Sequence, residues 1–239
     1  MSGRAALVTG GSSGIGLAIA RALGQDGYSL TVSARRADKL SDAVDGLREE
    51  GIDAQAVAAN MASEDDIKRV VEEHRSKHGR LDVLINNAGV GIGSPIADAE
   101  TKKLDMQLDV NLRGVYLTLR ECIPMLKDAG AEHGKALVMN TASIAGVRGQ
   151  GWLAAYSATK AAVIGLSQAA HMELSNDGIQ VTAFAPGFVD TPMTDWAEDQ
   201  VSRDQMIRPE DLGEAVRFLL RTSPACIVPE IRFIRPGDS

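Results

Sequence analysis

Tyr156 and Lys160 are the two residues of this sequence whose types and spacing most directly predict chemistry. They stand four positions apart, and a helix places side chains with that spacing on one face, one turn apart. A free phenol, with a pKa of about 10, is a poor acid–base catalyst near neutrality, but a nearby ammonium lowers that pKa toward the working range. The pair therefore predicts a phenol that donates and accepts protons. A chance pair on a surface helix is the alternative.

The elements that would position this pair follow an alternation of short apolar runs with longer amphipathic runs. The apolar runs predict strands at 4–9, 29–34, 54–58, 81–86, 135–140, 179–185 and 231–234. The amphipathic runs predict helices near 15–25, 38–50, 64–78, 102–127, 152–175 and 210–221. Strands alternating with helices of this length indicate βαβ units. We therefore expect an α/β fold with a doubly wound parallel sheet of about seven strands, helices on both faces, and a single domain over residues 1–239.

Bulk composition argues against several classes of function. The chain has 239 residues, 44% of them hydrophobic, with no apolar run near the ~18–20 residues of a membrane span. Its formal net charge of −7 argues against a nucleic-acid partner, which needs concentrated Lys and Arg. Two cysteines suit a reducing compartment, and the four histidines show no metal-ligand spacing with them. We expect a soluble, cytoplasmic, metal-free protein with no membrane or nucleic-acid partner.

A glycine-rich turn follows the first predicted strand and leads into the first predicted helix. Its glycines stand at positions 10, 11, 14 and 16, which departs from the standard G-x-G-x-x-G spacing. Glycines in a strand–turn–helix setting let a pyrophosphate approach the helix N-terminus closely. The turn therefore favours dinucleotide binding over a ligand-free connection.

Several motifs occur together in one order along the chain. They are Thr9-Gly10, Gly14-Ile15-Gly16, Asn86-Asn87-Ala88-Gly89, Asn111, Ser143, Tyr156, Lys160 and Pro186-Gly187. This ordered set resembles the short-chain dehydrogenases/reductases over essentially residues 4–235. The resemblance implies a Rossmann-type NAD(P)(H)-dependent oxidoreductase that interconverts a small-molecule carbonyl and an alcohol. It also implies a homodimer or homotetramer paired through the long helices.

The end of the second strand bears on the choice of cofactor. NAD enzymes generally place a carboxylate there for the ribose 2′-hydroxyl, whereas this chain has Ala34 followed by Arg35 and Arg36. Arginine grips a 2′-phosphate through paired, charge-assisted hydrogen bonds. We therefore predict a preference for NADP(H), with NAD(H) as the alternative. Asn60 stands where family members commonly carry an Asp that contacts adenine, and an amide can also hydrogen-bond that ring.

The resemblance assigns roles to individual residues. Tyr156 is the general acid and base, Ser143 stabilises the substrate oxygen, Lys160 lowers the pKa of Tyr156 and binds the ribose, and Asn111 holds a proton-relaying water. The predicted cofactor-binding residues are Gly10, Ser12, Ser13, Gly14, Ile15, Gly16, Arg35, Arg36, Asn60, Met61, Asn87, Ala88, Gly89, Tyr156, Lys160, Pro186, Gly187, Val189 and Thr191.

The substrate side is less determined by sequence. A substrate loop is expected at about 190–209, and the candidate pocket walls are Ile92, Val147, Arg148, Trp152, Met193, Trp196 and Met206. The acyl-carrier-protein branch of the family uses an Arg where this chain has Met172, and the charge of −7 also disfavours an acidic carrier. A free or CoA-linked carbonyl or a hydroxy compound is therefore expected. A non-catalytic dinucleotide-binding regulatory protein stays open as an alternative.

Overall fold

One parallel sheet organises the protein. The computed structural model describes residues 3–197 and 201–237, and within them seven strands run in the order β3-β2-β1-β4-β5-β6-β7. The strands are β1 Ala5–Thr9, β2 Ser29–Ala34, β3 Ala54–Ala58, β4 Val83–Asn86, β5 Ala136–Thr141, β6 Ile179–Pro186 and β7 Glu230–Phe233. Every neighbouring pair is parallel. The predicted Rossmann-type, doubly wound sheet is confirmed.

Helices cover both faces of the sheet. They are α1 Gly14–Gln25, α2 Ala37–Glu49, α3 Glu64–His78, α4 Thr101–Leu108, α5 Gly114–His133, α6 Ile144–Val147, α7 Ala154–Leu174 and α8 Pro209–Arg221. Successive strand residues point to opposite faces. Accordingly, side chains of α1, α2 and α8 pack with Val8 on one face, and those of α3, α5 and α7 pack with Leu7 on the other. The core therefore consists of two apolar layers separated by the sheet.

All seven strands end at the same edge, because they are parallel. The segments that leave this carboxyl edge are the glycine turn after β1, residues 35–36 after β2, residues 59–63 after β3, residues 87–95 after β4, Ala142 and Ser143 after β5, and residues 187–197 and 201–208 after β6. Ligands of doubly wound sheets bind outside this edge. The fold thus brings the predicted motifs to one side of the molecule.

Two helix predictions were wrong in their boundaries. The run at 102–127 is not one helix, because the five-residue π-helical turn Asp109–Arg113 separates α4 from α5, which continues to His133. Such turns insert an extra residue into a helix and often mark functional sites. The helix predicted at 152–175 begins at Ala154, and Trp152 lies before it with a φ of 66°, outside the helical region. The short helix α6 was not predicted.

Candidate active site

The glycine turn packs directly against the end of β4. Gly10 has a φ of 65°, and a Cβ added to it would lie 2.7 Å from the Cα of Ala88. A Cβ on Gly16 would lie 2.4 Å from the carbonyl oxygen of Gly10. Neither position tolerates a side chain without a shift of the backbone. The glycines therefore fix how closely the turn, the start of α1 and the end of β4 approach one another.

Thr9 joins the same two strand ends, a role that sequence reasoning did not assign to it. Its Oγ1 accepts hydrogen bonds from the backbone N–H groups of Asn87 at 3.1 Å and Ala88 at 3.2 Å. The Asn87 side chain in turn donates to the carbonyl of Gly10 at 3.0 Å and accepts from the hydroxyl of Thr141 at 3.2 Å. The ends of β1, β4 and β5 are therefore held in one hydrogen-bonded unit. The only sequence signal was the position of Thr9 immediately before the first glycine.

A cavity of about 350 Å³, here called the turn cavity, runs along this unit. Eighteen of the nineteen predicted cofactor residues line it, from the glycine turn through Arg35 and Arg36 to Thr191. Gly16 does not line it and lies beneath the turn against Gly10. The described lining contains the cations Arg35, Arg36 and Lys160 and no carboxylate. The turn cavity therefore suits an elongated anion.

Tyr156 and Ser143 place two hydroxyls at one end of the turn cavity. They are hydrogen-bonded to each other, and this bond lowers the pKa of Tyr156 while burial, the larger effect, raises it. The Oγ of Ser143 also accepts from the backbone N–H of Ala145 at 3.1 Å, capping α6. Ser143 is therefore both a helix cap and a hydrogen-bond partner of the phenol.

Lys160 lies one helical turn beyond Tyr156 and is almost fully buried. Its ammonium donates to the carbonyl of Thr141 at 2.6 Å and stands 5.7 Å from the centroid of the Tyr156 ring. Burial lowers the pKa of Lys160 to about 8. The expectation that Lys160 pulls the pKa of Tyr156 down is not met in this structure, where the net shift is upward. The reason is that desolvation of the phenol outweighs its polar partners.

Asn111 is fully buried in the π-helical turn and holds the segment after β4. Its side chain accepts from the N–H of Val90 and donates to the carbonyl of Val90, each at 2.8 Å, and donates to the Thr159 hydroxyl at 3.1 Å. A Cβ on Gly89 would lie 3.4 Å from both the Oδ1 of Asn111 and the Nζ of Lys160. The predicted catalytic residues Asn111 and Lys160 therefore flank one glycine.

Gln107 extends this clamp and was missed by sequence reasoning. Its Oε1 accepts from the backbone N–H of Ile92 at 3.1 Å, and its side chain is buried. Gln107 and Asn111 stand four residues apart on consecutive helical segments, and both hydrogen-bond to the backbone of the segment after β4. The sequence signal that was available is this pair of amide side chains four residues apart.

A second cavity of about 600 Å³, here called the aromatic cavity, opens beside the first. Both cavities are lined by Ser143, Tyr156, Gly187, Met193 and Thr194. The two hydroxyls therefore stand where the cavities meet. A group bound in either cavity can reach them.

The outcome for the predicted substrate walls is mixed. Val147, Arg148, Trp152, Met193 and Trp196 line the aromatic cavity. Ile92 and Met206 do not, and Met206 packs inside the substrate loop against Ala197 and Val201. Residues 198–200 of the predicted loop lie outside the described residues.

Sequence reasoning missed several further residues of the lining, among them Phe188, Arg232 and Ile234. Arg232 lies on β7, and Ile234 follows that strand directly. Parallel pairing of β7 with β6 delivers them, since Phe233 aligns with Pro186 and its carbonyl accepts from the N–H of Gly187 at 2.8 Å. The C-terminal strand therefore contributes to the aromatic cavity.

The described part of the chain also bears on two other classes of site. No group of three or more His, Cys, Asp or Glu side chains is arranged there to hold a metal ion. None of its helices combines the length and apolarity needed to cross a bilayer.

Comparison with known proteins agrees with this geometry. A family model described as short chain dehydrogenase matches residues 4–202. The chain is 37% identical over 226 residues to 3-oxoacyl-[acyl-carrier-protein] reductase FabG of Staphylococcus aureus, a match that covers 90% of each sequence.

Solved structures are similar over nearly the whole chain. An alcohol dehydrogenase from the archaeon Thermococcus sibiricus, complexed with 5-hydroxy-NADP, has 28% identity and a TM-score of 0.88, with coverage of 99% of this chain and 97% of that one. The 3-ketoacyl-(acyl-carrier-protein) reductase of Brucella melitensis, complexed with NADH, has 31% identity and a TM-score of 0.88, with coverage of 98% and 97%.

Proposed function

Since the chain belongs to the short-chain dehydrogenases/reductases, oxidoreductases that interconvert carbonyl and alcohol groups, we propose that it is an NADPH-dependent carbonyl reductase with Tyr156 as proton donor. The observation that carries this proposal is the position of Tyr156 and Ser143 in the linings of both cavities. A reductase needs one site for its cofactor and one for its substrate, with the proton donor between them. The two cavities supply that arrangement.

The residues of the turn cavity fit a phosphorylated dinucleotide. The N-terminus of α1 opens onto it through Ser13, Gly14 and Ile15, and the first turn of that helix carries no acidic residue. Exposed backbone N–H groups and the helix dipole favour an anion there. A Cβ on Gly14 would lie 2.9 Å from the Thr191 side chain, so the absence of a side chain keeps this end of the cavity open.

Arg35 and Arg36 support NADPH over NADH. Both are exposed at the end of β2, both line the turn cavity, and neither has an ion-pair partner within the described residues. Unneutralised guanidiniums bind a phosphate through charge-assisted hydrogen bonds. No carboxylate in the described lining would repel it.

In the proposed reduction the nicotinamide supplies hydride to the carbonyl carbon when the cofactor is bound. Tyr156 donates its proton to the carbonyl oxygen, and the Ser143 hydroxyl donates a hydrogen bond to the same oxygen, stabilising its developing charge. The raised pKa of Tyr156 keeps the phenol protonated at neutral pH, which is the form that reduction requires. Lys160, whose ammonium lies 5.7 Å from the centroid of the Tyr156 ring, and Asn111 both lie beside Gly89, and in this proposal they return a proton to the phenol through a water molecule.

The test is a panel of aldehydes, ketones and alcohols assayed with NADPH and NADH in both directions. We expect NADPH-dependent carbonyl reduction to have the highest kcat/KM. NADH turnover that exceeds NADPH turnover would favour an NAD-linked dehydrogenase. Tight NADPH binding without turnover of any compound would favour a non-catalytic regulatory protein.

Carrier-bound substrates are a separate question, because the curated relatives are named as acyl-carrier-protein reductases. Met172, where that branch has an Arg, is 79% exposed on α7 and offers no positive charge to an acidic carrier. We therefore propose a free or CoA-linked carbonyl as substrate. Equal kcat/KM for a carrier-bound and a CoA-linked 3-oxoacyl group would contradict this.

We also propose a homodimer or homotetramer in the cytoplasm. Small exposed residues form a stripe along α7, at Ala154, Ala158, Ala161 and Gly165, which permits close approach of a second helix. Cys122 and Cys226 are free thiols, as a reducing compartment allows. Light scattering of the purified protein, with Gly165→Arg as the disrupting variant, tests the assembly.

A further inference from the structure

We propose that the aromatic cavity selects carbonyl substrates that carry a flat ring and an anionic substituent, with the ring bound against a wall of aromatic side chains and the anion bound by Arg148 and Arg232. This inference rests on the proposed function, since Tyr156 and Ser143 would do the chemistry at the inner end of the same cavity. It concerns which carbonyl compound reaches them.

The ring-binding wall consists of three aromatic side chains from two segments. The ring centroids of Trp152 and Trp196 lie 5.8 Å apart, and those of Phe188 and Trp196 lie 6.2 Å apart. All three residues line the cavity, whose volume of about 600 Å³ falls within the range of small-molecule sites. Aromatic faces bind flat rings with directional preference as well as by burial of apolar area. The wall therefore favours a ring over a flexible chain.

Trp152 is held in place at the expense of backbone strain. It is the one non-glycine residue with positive φ in the described chain, at 66°, and its carbonyl accepts from the N–H of Ser94 at 2.8 Å. A Cβ on Gly93 would lie 2.4 Å from the Trp152 ring, so the ring rests directly on that glycine backbone. Strain of this kind persists where surrounding contacts determine a conformation, and it concentrates at ligand sites. The position of the indole is thus fixed before substrate binds.

All charged side chains in the described lining of the aromatic cavity are cationic. Arg148, after α6, and Arg232, on β7, both line the cavity, and no Asp or Glu does among the described residues. Arg232 forms an ion pair with Glu230 through its Nε–H, which partly offsets its charge and occupies one of the five donors of the guanidinium. Arg235 lies outside the lining, with its guanidinium 5.7 Å from the centroid of the Phe188 ring. Arg148 and Arg232 thus come from separate elements to line a cavity whose remaining described lining is uncharged.

A carboxylate and a phosphate would meet these guanidiniums with the same chemistry, an oxyanion that accepts charge-assisted hydrogen bonds. The test therefore compares para-acetylbenzoate and para-acetylphenyl phosphate with the neutral para-acetylbenzamide, all reduced at the same aryl ketone. Levulinate, a keto acid without a ring, isolates the aromatic contribution.

We expect kcat/KM for at least one anionic aryl ketone to exceed that of the neutral amide by about 10-fold to 100-fold, in line with hydrogen bonds to charged groups. Whichever anion is preferred identifies the oxyanion. Arg148→Gln and Arg232→Gln should each reduce this ratio without changing the affinity for NADPH, whereas Arg221→Gln, at the end of α8 and outside both cavity linings, should not. Trp196→Leu should lower kcat/KM for the aryl keto acid more than for levulinate.

Two results separate the failure of this inference from that of the proposed function. If the amide is reduced as well as both anions, and the arginine variants leave that ratio unchanged, the enzyme is a reductase but the inference is overturned. If NADPH binds and none of the four compounds, nor any member of the wider panel, is reduced, the proposed function itself fails.

Discussion

The turn cavity and the aromatic cavity meet at Tyr156, yet they are built from different parts of the chain. The turn cavity is formed largely by backbone, namely the glycine turn and the ends of strands held together through Thr9 and Asn87. The aromatic cavity is formed by large side chains on loops and on the last strand, among them Trp152, Trp196 and Arg232.

We relate this difference to two proposed tasks, binding of the cofactor in the turn cavity and choice of the substrate in the aromatic cavity. Glycines and strand ends at the sheet edge tolerate few substitutions, because their backbone geometry is constrained. They therefore suit a ligand whose shape does not vary. Side chains on loops can change without disturbing the sheet. Substitutions in the turn cavity should therefore act on cofactor binding, and substitutions in the aromatic cavity on substrate choice, while residues shared by both should act on turnover itself.

The largest effect is expected where the cavities meet. Tyr156→Phe removes the proton donor but keeps the ring, so turnover should fall by about 10²–10⁴-fold while NADPH affinity is retained. Steady-state kinetics and a fluorescence titration with NADPH measure the two quantities. Tyr116→Phe on α5, 54% exposed and outside both cavity linings, is the matched control and should behave as the wild type. Near-normal turnover of the Tyr156 variant would remove the phenol from the mechanism.

The cofactor preference should respond next. Arg35→Asp replaces a guanidinium in the turn cavity with a carboxylate, which repels a 2′-phosphate and can accept from a 2′-hydroxyl. The ratio of kcat/KM for NADPH to that for NADH should fall by about 10-fold to 100-fold, as expected for loss of charged hydrogen bonds. Lys39→Asp makes the same change of charge on α2, outside the lining, and should leave the ratio intact. An equal fall of this ratio in both variants would mean that it reflects the net charge of the protein and not a contact between Arg35 and the cofactor.

Substitution of Gly16, which is buried beneath the glycine turn, tests how far the turn cavity depends on close backbone packing. Gly16→Ala places a Cβ 2.4 Å from the Gly10 carbonyl, so the unfolding free energy should fall by about 1–3 kcal/mol and NADPH binding should weaken. Gly46→Ala, on α2 where a Cβ meets open space, should instead stabilise the chain by up to about 1 kcal/mol. Urea unfolding and NADPH titration compare the two. Equal stability of the two variants would contradict the packing account.

The pH dependence should be the same for every substrate, because the titrating residue Lys160 lines the turn cavity and not the aromatic cavity. Burial lowers the pKa of Lys160 to about 8 and raises that of Tyr156, so below pH 8 the lysine is charged and the phenol is protonated. As pH rises through about 8 the lysine loses its charge, and kcat/KM for reduction should fall, by about tenfold at pH 9. Profiles with para-acetylbenzoate and its amide should share this midpoint. Midpoints that differ between the two would place the titrating group on the substrate side.

The same contrast explains how far the sequence could predict the structure. The alternation of apolar and amphipathic runs predicted the parallel sheet, and the ordered motifs predicted the turn-cavity lining, because glycines and strand-end residues have roles set by local backbone geometry. The break in the helix at 109–113 was not predictable, since its period resembles that of a continuous helix. Arg232 was not predicted as a residue of the aromatic cavity, because only the pairing of β7 with β6 brings it to the site.

The smallest effect concerns Trp152, where strain and packing oppose each other. Trp152→Gly loses the contact with the Trp196 ring, worth about 0.5–1.5 kcal/mol, but relieves a positive φ whose cost is of the same order, about 1–3 kcal/mol. The melting temperature should therefore stay within a few degrees of the wild type. Trp152→Ala loses the same contact and keeps most of the strain, so it should be less stable than the glycine variant by about 1 kcal/mol.

Differential scanning calorimetry of the Trp152→Gly and Trp152→Ala variants decides the point. An alanine variant as stable as the glycine variant would mean that the backbone at this position is not strained. Both variants should lose the preference for aryl over aliphatic keto acids while binding NADPH normally, because Trp152 lines only the aromatic cavity of the two. A glycine variant that keeps its stability but loses ring selectivity would show that the strained indole is maintained for recognition rather than for folding.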